Sequence, residues 1–141
     1  MVNAEQPRTG IQLPTGSWWD WDVIAWDAGR FTLAAGYDLT YHHGLELVFG
    51  EPLYVSCPFA FLDPVFRAVS PEQAAAMARQ LGAEPPVLVA FEADAGGTEP
   101  VSCLVAAERL DVVHEPVLRY WREDAPPGQR YAPWVRPPEG R

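Results

Sequence analysis

The chain predicts an α+β fold: an antiparallel sheet of about six or seven strands, ordered as a meander, with one short α-helix packed on it. Three observations carry this. Along 39–49 the odd positions read Leu39, Tyr41, His43, Leu45, Leu47 and Phe49, while the even positions beside them read Asp38, Thr40, His42, Gly44, Glu46 and Val48. That period of two is the mark of a strand with one face in a core and the other nearer water. Further short apolar runs recur between Gly- and Pro-containing breaks. Only one segment combines helical spacing with stop and start signals at both ends.

Taken in order, residues 1–16 hold Pro7, Gly10, Pro14 and Gly16 with little pattern, and read as a surface-laid arm. The aromatic run from Ser17 through Trp18, Trp19 and Trp21 leads into a first strand over 22–26. Asp27-Ala28-Gly29-Arg30 reads as a hairpin turn in which Gly29 is free to take a positive φ. The return strand covers 31–35 with Phe31, Leu33 and Ala35 on one face, and Gly36 ends it. After the strand over 39–49, Gly50-Glu51-Pro52 reads as a second tight connection into a strand over 53–57. Pro58 and Pro64 bracket 59–63, which is aromatic but a poor candidate for a long strand. The first half is thus expected to be about four antiparallel strands in succession.

The helix is predicted over 71–81. Ser70 is the N-cap, Pro71 suits the first helical position, and Gln73 completes a capping box. Ala74, Met77, Ala78 and Leu81 fall on one face, and Gly82 stops the helix. A face this rich in Ala lets the helix approach a sheet closely. Residues 87–91 are apolar on both faces, as a central covered strand would be. Asp94 to Glu99 form a turn, 101–107 return, Asp111 bends the chain, and 112–121 form a last strand that Pro116 places at an edge or a bulge. The tail over 122–141 has five Pro and two Gly but also Tyr131 and Trp134, so it is expected to dock rather than wander. No repeat and no second domain is apparent: 1–141 reads as a single domain with two arms.

The formal net charge is −9, and all ten basic residues are Arg. The absence of Lys, together with one Asn and many Ala, Pro and Gly, fits the coding bias of a GC-rich bacterial genome. Nucleic-acid binding requires clustered cations, and none occur here, so nucleic acid and acidic membranes are disfavoured as partners. No run is long and apolar enough to span a bilayer, and the N-terminus lacks a signal-peptide layout, so a cytoplasmic setting is expected. Cys57 and Cys103 each sit in an apolar run and read as reduced, buried thiols.

Candidate chemistry is sparse. His43 shares its face with five hydrophobes, where a neutral imidazole serves as a base, a ligand or a satisfied core residue. Adjacent His42 points to the opposite face of a regular strand, so the two do not chelate one ion. No metal-ligand spacing and no cofactor motif is present, and neither is expected. Asp20-Trp21-Asp22 spells DxD without a nucleotide-binding scaffold around it, and Gly96-Gly97-Thr98 lacks the Lys and following helix of a phosphate loop. What stands out is aromatic character at both ends of the chain. Trp18, Trp19 and Trp21 near the start, and Trp121 and Trp134 near the end with Arg119 at their rim, are residue types that dominate binding hot spots. The expectation is a non-enzymatic, acidic binding or accessory protein, immunity-like or regulatory, that meets a protein partner or a second copy of itself through an aromatic surface. The alternative is a small cofactor-independent enzyme of isomerase or cyclase type, taking a small molecule in a pocket around His43, with Tyr41, Glu92 and Glu108 assisting.

Overall fold

Alternation of large apolar side chains with polar ones produces strands over most of the chain. The computed structural model describes residues 11–139. The elements are β1 (Asp20–Trp26), β2 (Arg30–Gly36), β3 (His42–Ser56), β4 (Ala60–Arg67), α1 (Pro71–Leu81), β5 (Val87–Asp94), β6 (Val101–Leu118) and the short β7 (Arg130–Tyr131). Of the N-terminal arm, 1–10 lie outside the described residues, while Ile11 and Leu13 pack against the core.

The antiparallel sheet and the single short helix are as expected, but the sheet is not open. β1-β2-β3 and β4-β5-β6 are two meanders, β1 pairs with β4, and β3 pairs with β6. Six strands therefore close into a barrel. The expected run of four strands in succession is corrected: the third and fourth of them, over 39–49 and 53–57, fall on the one long strand β3, and the next strand, β4, lies beside β1. Closure pairs strand edges that an open sheet would leave exposed. The interior is packed with Trp21, Phe31, Leu33, Leu47, Phe49, Phe61, Phe91 and Val105, among others, and is strongly aromatic. Trp21 stacks on Phe61 at 5.9 Å, and Phe61 and Phe66 both meet Phe91.

Two long strands hold the closure. β3 has 15 residues and β6 has 18, and they pair with each other along almost their whole length. The expected breaks at 50–52 and at Asp111 are absent: Gly50 pairs with Arg109, Pro52 with Ala107, and Asp111 with Val48. β3 bends at Glu51, whose φ is 50°, rather than ending there. Because β6 continues opposite, the ladder resumes after an irregularity between Pro52 and Tyr54 that accommodates the missing proline N–H. The segment 59–63 also differs from expectation, since β4 runs through Pro64. Asp63 takes φ 48°, and the β4–β5 register slips between Leu62 and Val65. That slip is why Phe61 and Phe66, of opposite parity, both turn inward.

The first hairpin forms by another route than the one expected. Gly29 is not among the glycines of positive φ; instead Asp27 Oδ1 accepts from the amides of Gly29 (2.7 Å) and Arg30 (3.0 Å). The helix matches its signals. Ser70 Oγ accepts from Gln73 N, Gln73 Oε1 accepts from Ser70 N, and Gly82 ends α1 with φ 85°. Met77 is its one fully buried side chain, with Ala74, Ala76 and Ala78 half-buried.

Candidate functional site: a buried ion ladder beneath an aromatic strap

The outer wall of the barrel over β1, β2 and β3 carries small residues and buried charge. Asp22 pairs in register with Ala34, and Ala34 with Glu46, on the face opposite the inward Trp21, Leu33, Leu45 and Leu47. His43 joins this outer face. Between Leu45 and His43 the ladder slips, two residues of β3 spanning three of β6 (Leu45 pairs with His114, His43 with Val117), with Pro116 in the longer arm. Sequence parity puts the imidazole among the inward hydrophobes; its two ring nitrogens instead bond Glu46 and Arg119.

The resulting ladder is continuous. Both Asp22 carboxylate oxygens accept from Arg119, at 2.8 Å each. Arg119 Nε donates to His43 Nδ1 at 2.9 Å. A guanidinium can only donate, so Nδ1 is the unprotonated nitrogen, and Nε2–H donates to Glu46 Oε2 at 2.7 Å. Arg130 Nη2 then donates to both Glu46 oxygens, at 2.7 and 2.8 Å, and Arg130 Nη1 reaches Glu115 Oε1 at 3.1 Å. His43 is wholly buried, and the side chains of Glu46 and Arg119 are 4% and 6% exposed. Burial pushes the Glu46 carboxyl up, but the hydrogen bonds from His43 and Arg130 and the charge of Arg130 outweigh it and hold the group below the ordinary carboxylate range. Among the described residues no buried side-chain polar atom lacks a partner.

The lid of the ladder is the tail. β7 adds to β6 in parallel, Arg130 beside Val117 and Tyr131 beside Leu118, and Ala132 N donates to Leu118 O. Tyr131 stacks on Trp121 at 5.1 Å, and Trp134 lies over the Arg119 guanidinium at 5.2 Å. Tyr41 meets Tyr120 edge-on at 5.8 Å, and Tyr37 meets His42 at 5.0 Å.

No known protein family, curated protein or solved structure matches this chain.

The residues singled out from the sequence therefore separate into groups. Arg119, Trp121 and Trp134 come together at the strap, with Tyr41 beside them and His43 beneath. Trp21 instead fills the barrel, Trp18 is half-buried against the core and edge-on to His114, and Trp19 is exposed near β4, its carbonyl accepting from Asp63 N. Glu92 and Glu108 are not brought to His43. Glu92 pairs across β6 with Ser102 and bonds Arg67, while His43 pairs with Val117, fifteen residues further along that strand at about 3.3 Å each. His43 itself has both ring nitrogens engaged, so in this arrangement it holds no free lone pair to accept a proton. Among the described residues no group of three or more His, Cys, Asp or Glu is placed to hold a metal ion, and no helix is long and apolar enough to cross a membrane.

Sequence reasoning missed Asp22, Glu46, Glu115 and Arg130 as one unit. Glu46 sits on the face that alternation marks as polar, and Arg130 lies 84 residues away, so no local pattern links them.

Proposed function

We propose that this is a non-enzymatic binding protein whose contact surface is the aromatic strap end, and that its partner is a protein presenting a basic surface. One observation carries the reading. Tyr37, Tyr41, Tyr120, Trp121 and Trp134 are each 38–56% exposed, yet each is fixed by a ring contact, a neighbouring strand or the ion ladder below. Rigid, half-exposed Tyr and Trp rings bind with little entropy loss on ordering, the property of interface hot spots. The charge supports the partner's character. Arg119, Arg122 and Arg130 at this end are all paired with carboxylates, which leaves the chain's formal charge of −9 to set the field around it.

The test is affinity capture from the native host with the wild-type chain and with a Tyr41→Ala/Trp121→Ala/Trp134→Ala variant shown to be folded. The expected result is a basic protein held in stoichiometric amount by the wild type, released by salt, and lost with the variant. A partner retained equally by both chains, or a small-molecule adduct in native mass spectrometry with no protein bound, would overturn the reading.

A further inference from the structure

Cys57 and Cys103 are free thiols in this structure, donating to Pro58 O at 3.1 Å and Val101 O at 3.6 Å. The register of β3 on β6 brings the two together. Val55 pairs with Val105 and Ser56 with Leu104, so the next step of the same ladder sets Cys57 opposite Cys103. Directly opposed residues of an antiparallel pair hold their Cα atoms about 4.5–5.5 Å apart, inside the span of roughly 4.4–6.8 Å that a disulfide bridges. The side chains also share a face. Val55, Cys57, Cys103 and Val105 all pack on the aromatic interior, as alternation outward from the paired valines dictates. Each thiol registers the other. Burial, with the charge of Cys103 adding to it, pushes Cys57 up to about 12, and burial raises Cys103 against an opposing hydrogen bond with Cys57.

This contact sits where β3 is least supported. β2 pairs with β3 only as far as Gly50, and from Pro52 to Ser56 β6 is the one strand laddered to β3 among the described residues. β6 itself is held at Cys103 by Phe91 of β5 on its other side. A bond between the sulfurs ties a singly paired strand end to a strand paired on both sides.

We propose that Cys57 and Cys103 are a dithiol–disulfide pair, a covalent modification site whose oxidised form staples the end of β3 to β6. The oxidant is a small-molecule disulfide such as oxidised glutathione. One cysteine thiolate attacks it, forming a mixed disulfide and releasing one glutathione; the second cysteine attacks the first protein sulfur and releases the other. The protein gives up two electrons and two protons, which leave on two glutathione thiols. Thiolates are scarce while the chain is folded, so exchange runs as the chain folds or opens, and the folded barrel keeps the state it acquired.

The experiment refolds the full chain from urea through a series of oxidised and reduced glutathione, with intact mass and thermal unfolding measured on each product. The expected product is a monomer lighter than the dithiol by two hydrogens, with a midpoint raised by roughly 5–15 °C. Folding and bond formation support each other equally, so half-oxidation should need an oxidising ratio on the order of 100-fold lower in native buffer than in urea. Glutathione adducts or disulfide-linked dimers in place of the bridge, a bridged chain whose midpoint is unchanged or lower, or equal ratios with and without urea would each overturn the proposal. Cys57→Ala keeps a single thiol, and a midpoint that still follows the glutathione ratio in that variant would overturn it as well. None of these readouts involves the strap or a partner, so their failure is distinct from failure of the binding reading.

Discussion

Glu46→Gln isolates the charge at the centre of the ladder, because it keeps the side chain's shape. Glu46 accepts from His43 Nε2 at 2.7 Å and from Arg130 Nη2 at 2.7 and 2.8 Å. The glutamine amide keeps one acceptor oxygen and sets an NH2 group against donors. Removing one member of a buried ion pair costs about 3–5 kcal/mol, and the partial exposure of Arg130 puts this case near the lower figure, about 3 kcal/mol. For a chain of this size that is a drop of roughly 10 °C in midpoint. Urea unfolding at pH 7, followed by tryptophan fluorescence, should show a lower midpoint with an unchanged slope. The pH dependence supplies the sign. A carboxyl held below its ordinary value of 4.5 contributes stability that is fully present above that value and is lost as pH falls through the lower, folded-state value. The gap between wild type and Glu46→Gln should therefore hold from pH 7 down to that region and close below it. A gap under about 1 kcal/mol at pH 7, or one that persists undiminished in acid, would refute the argument that the charge carries the effect.

Three further predictions follow from other parts of the fold. Nitrogen NMR of His43 at neutral pH should find Nε2 protonated and Nδ1 bare, as the donation from Arg119 requires; the opposite tautomer would break the ladder as described. Burial, with Cys103 alongside, pushes the Cys57 thiol up to about 12, and Cys103 is raised by burial too, so neither should react appreciably with a thiol reagent until urea unfolds the chain. In α1, Met77→Ala should cost about 2–4 kcal/mol and Ser70→Ala about 1 kcal/mol in the same unfolding assay, since one is the helix's only fully buried side chain and the other its N-cap.

Local chemistry was written in the sequence and survives folding unchanged where neighbours in the chain determine it. The capping box at Ser70 and Gln73, the Gly82 stop, and the inward rows of β2 and β3 all depend on residues within a turn or a strand of one another. What the sequence misplaced depends on pairing between distant segments. Glu51-Pro52 and Asp111 look like turns in isolation, but β3 and β6 lie along each other and carry the ladder past both. Barrel closure is of the same kind, since no pattern within β3 states that its other edge meets β6. The orientation of His43 is the sharpest instance. Alternation predicts a ring among the inward hydrophobes, whereas both its nitrogens bond charged side chains, one of them Arg119 from a segment 76 residues away. Glu46, Arg119 and Arg130 were each readable as charged residues near strands or tail. Their union into one buried ladder required the barrel wall and the strap to be brought together, because a buried charge persists only where a distant partner arrives to neutralise it.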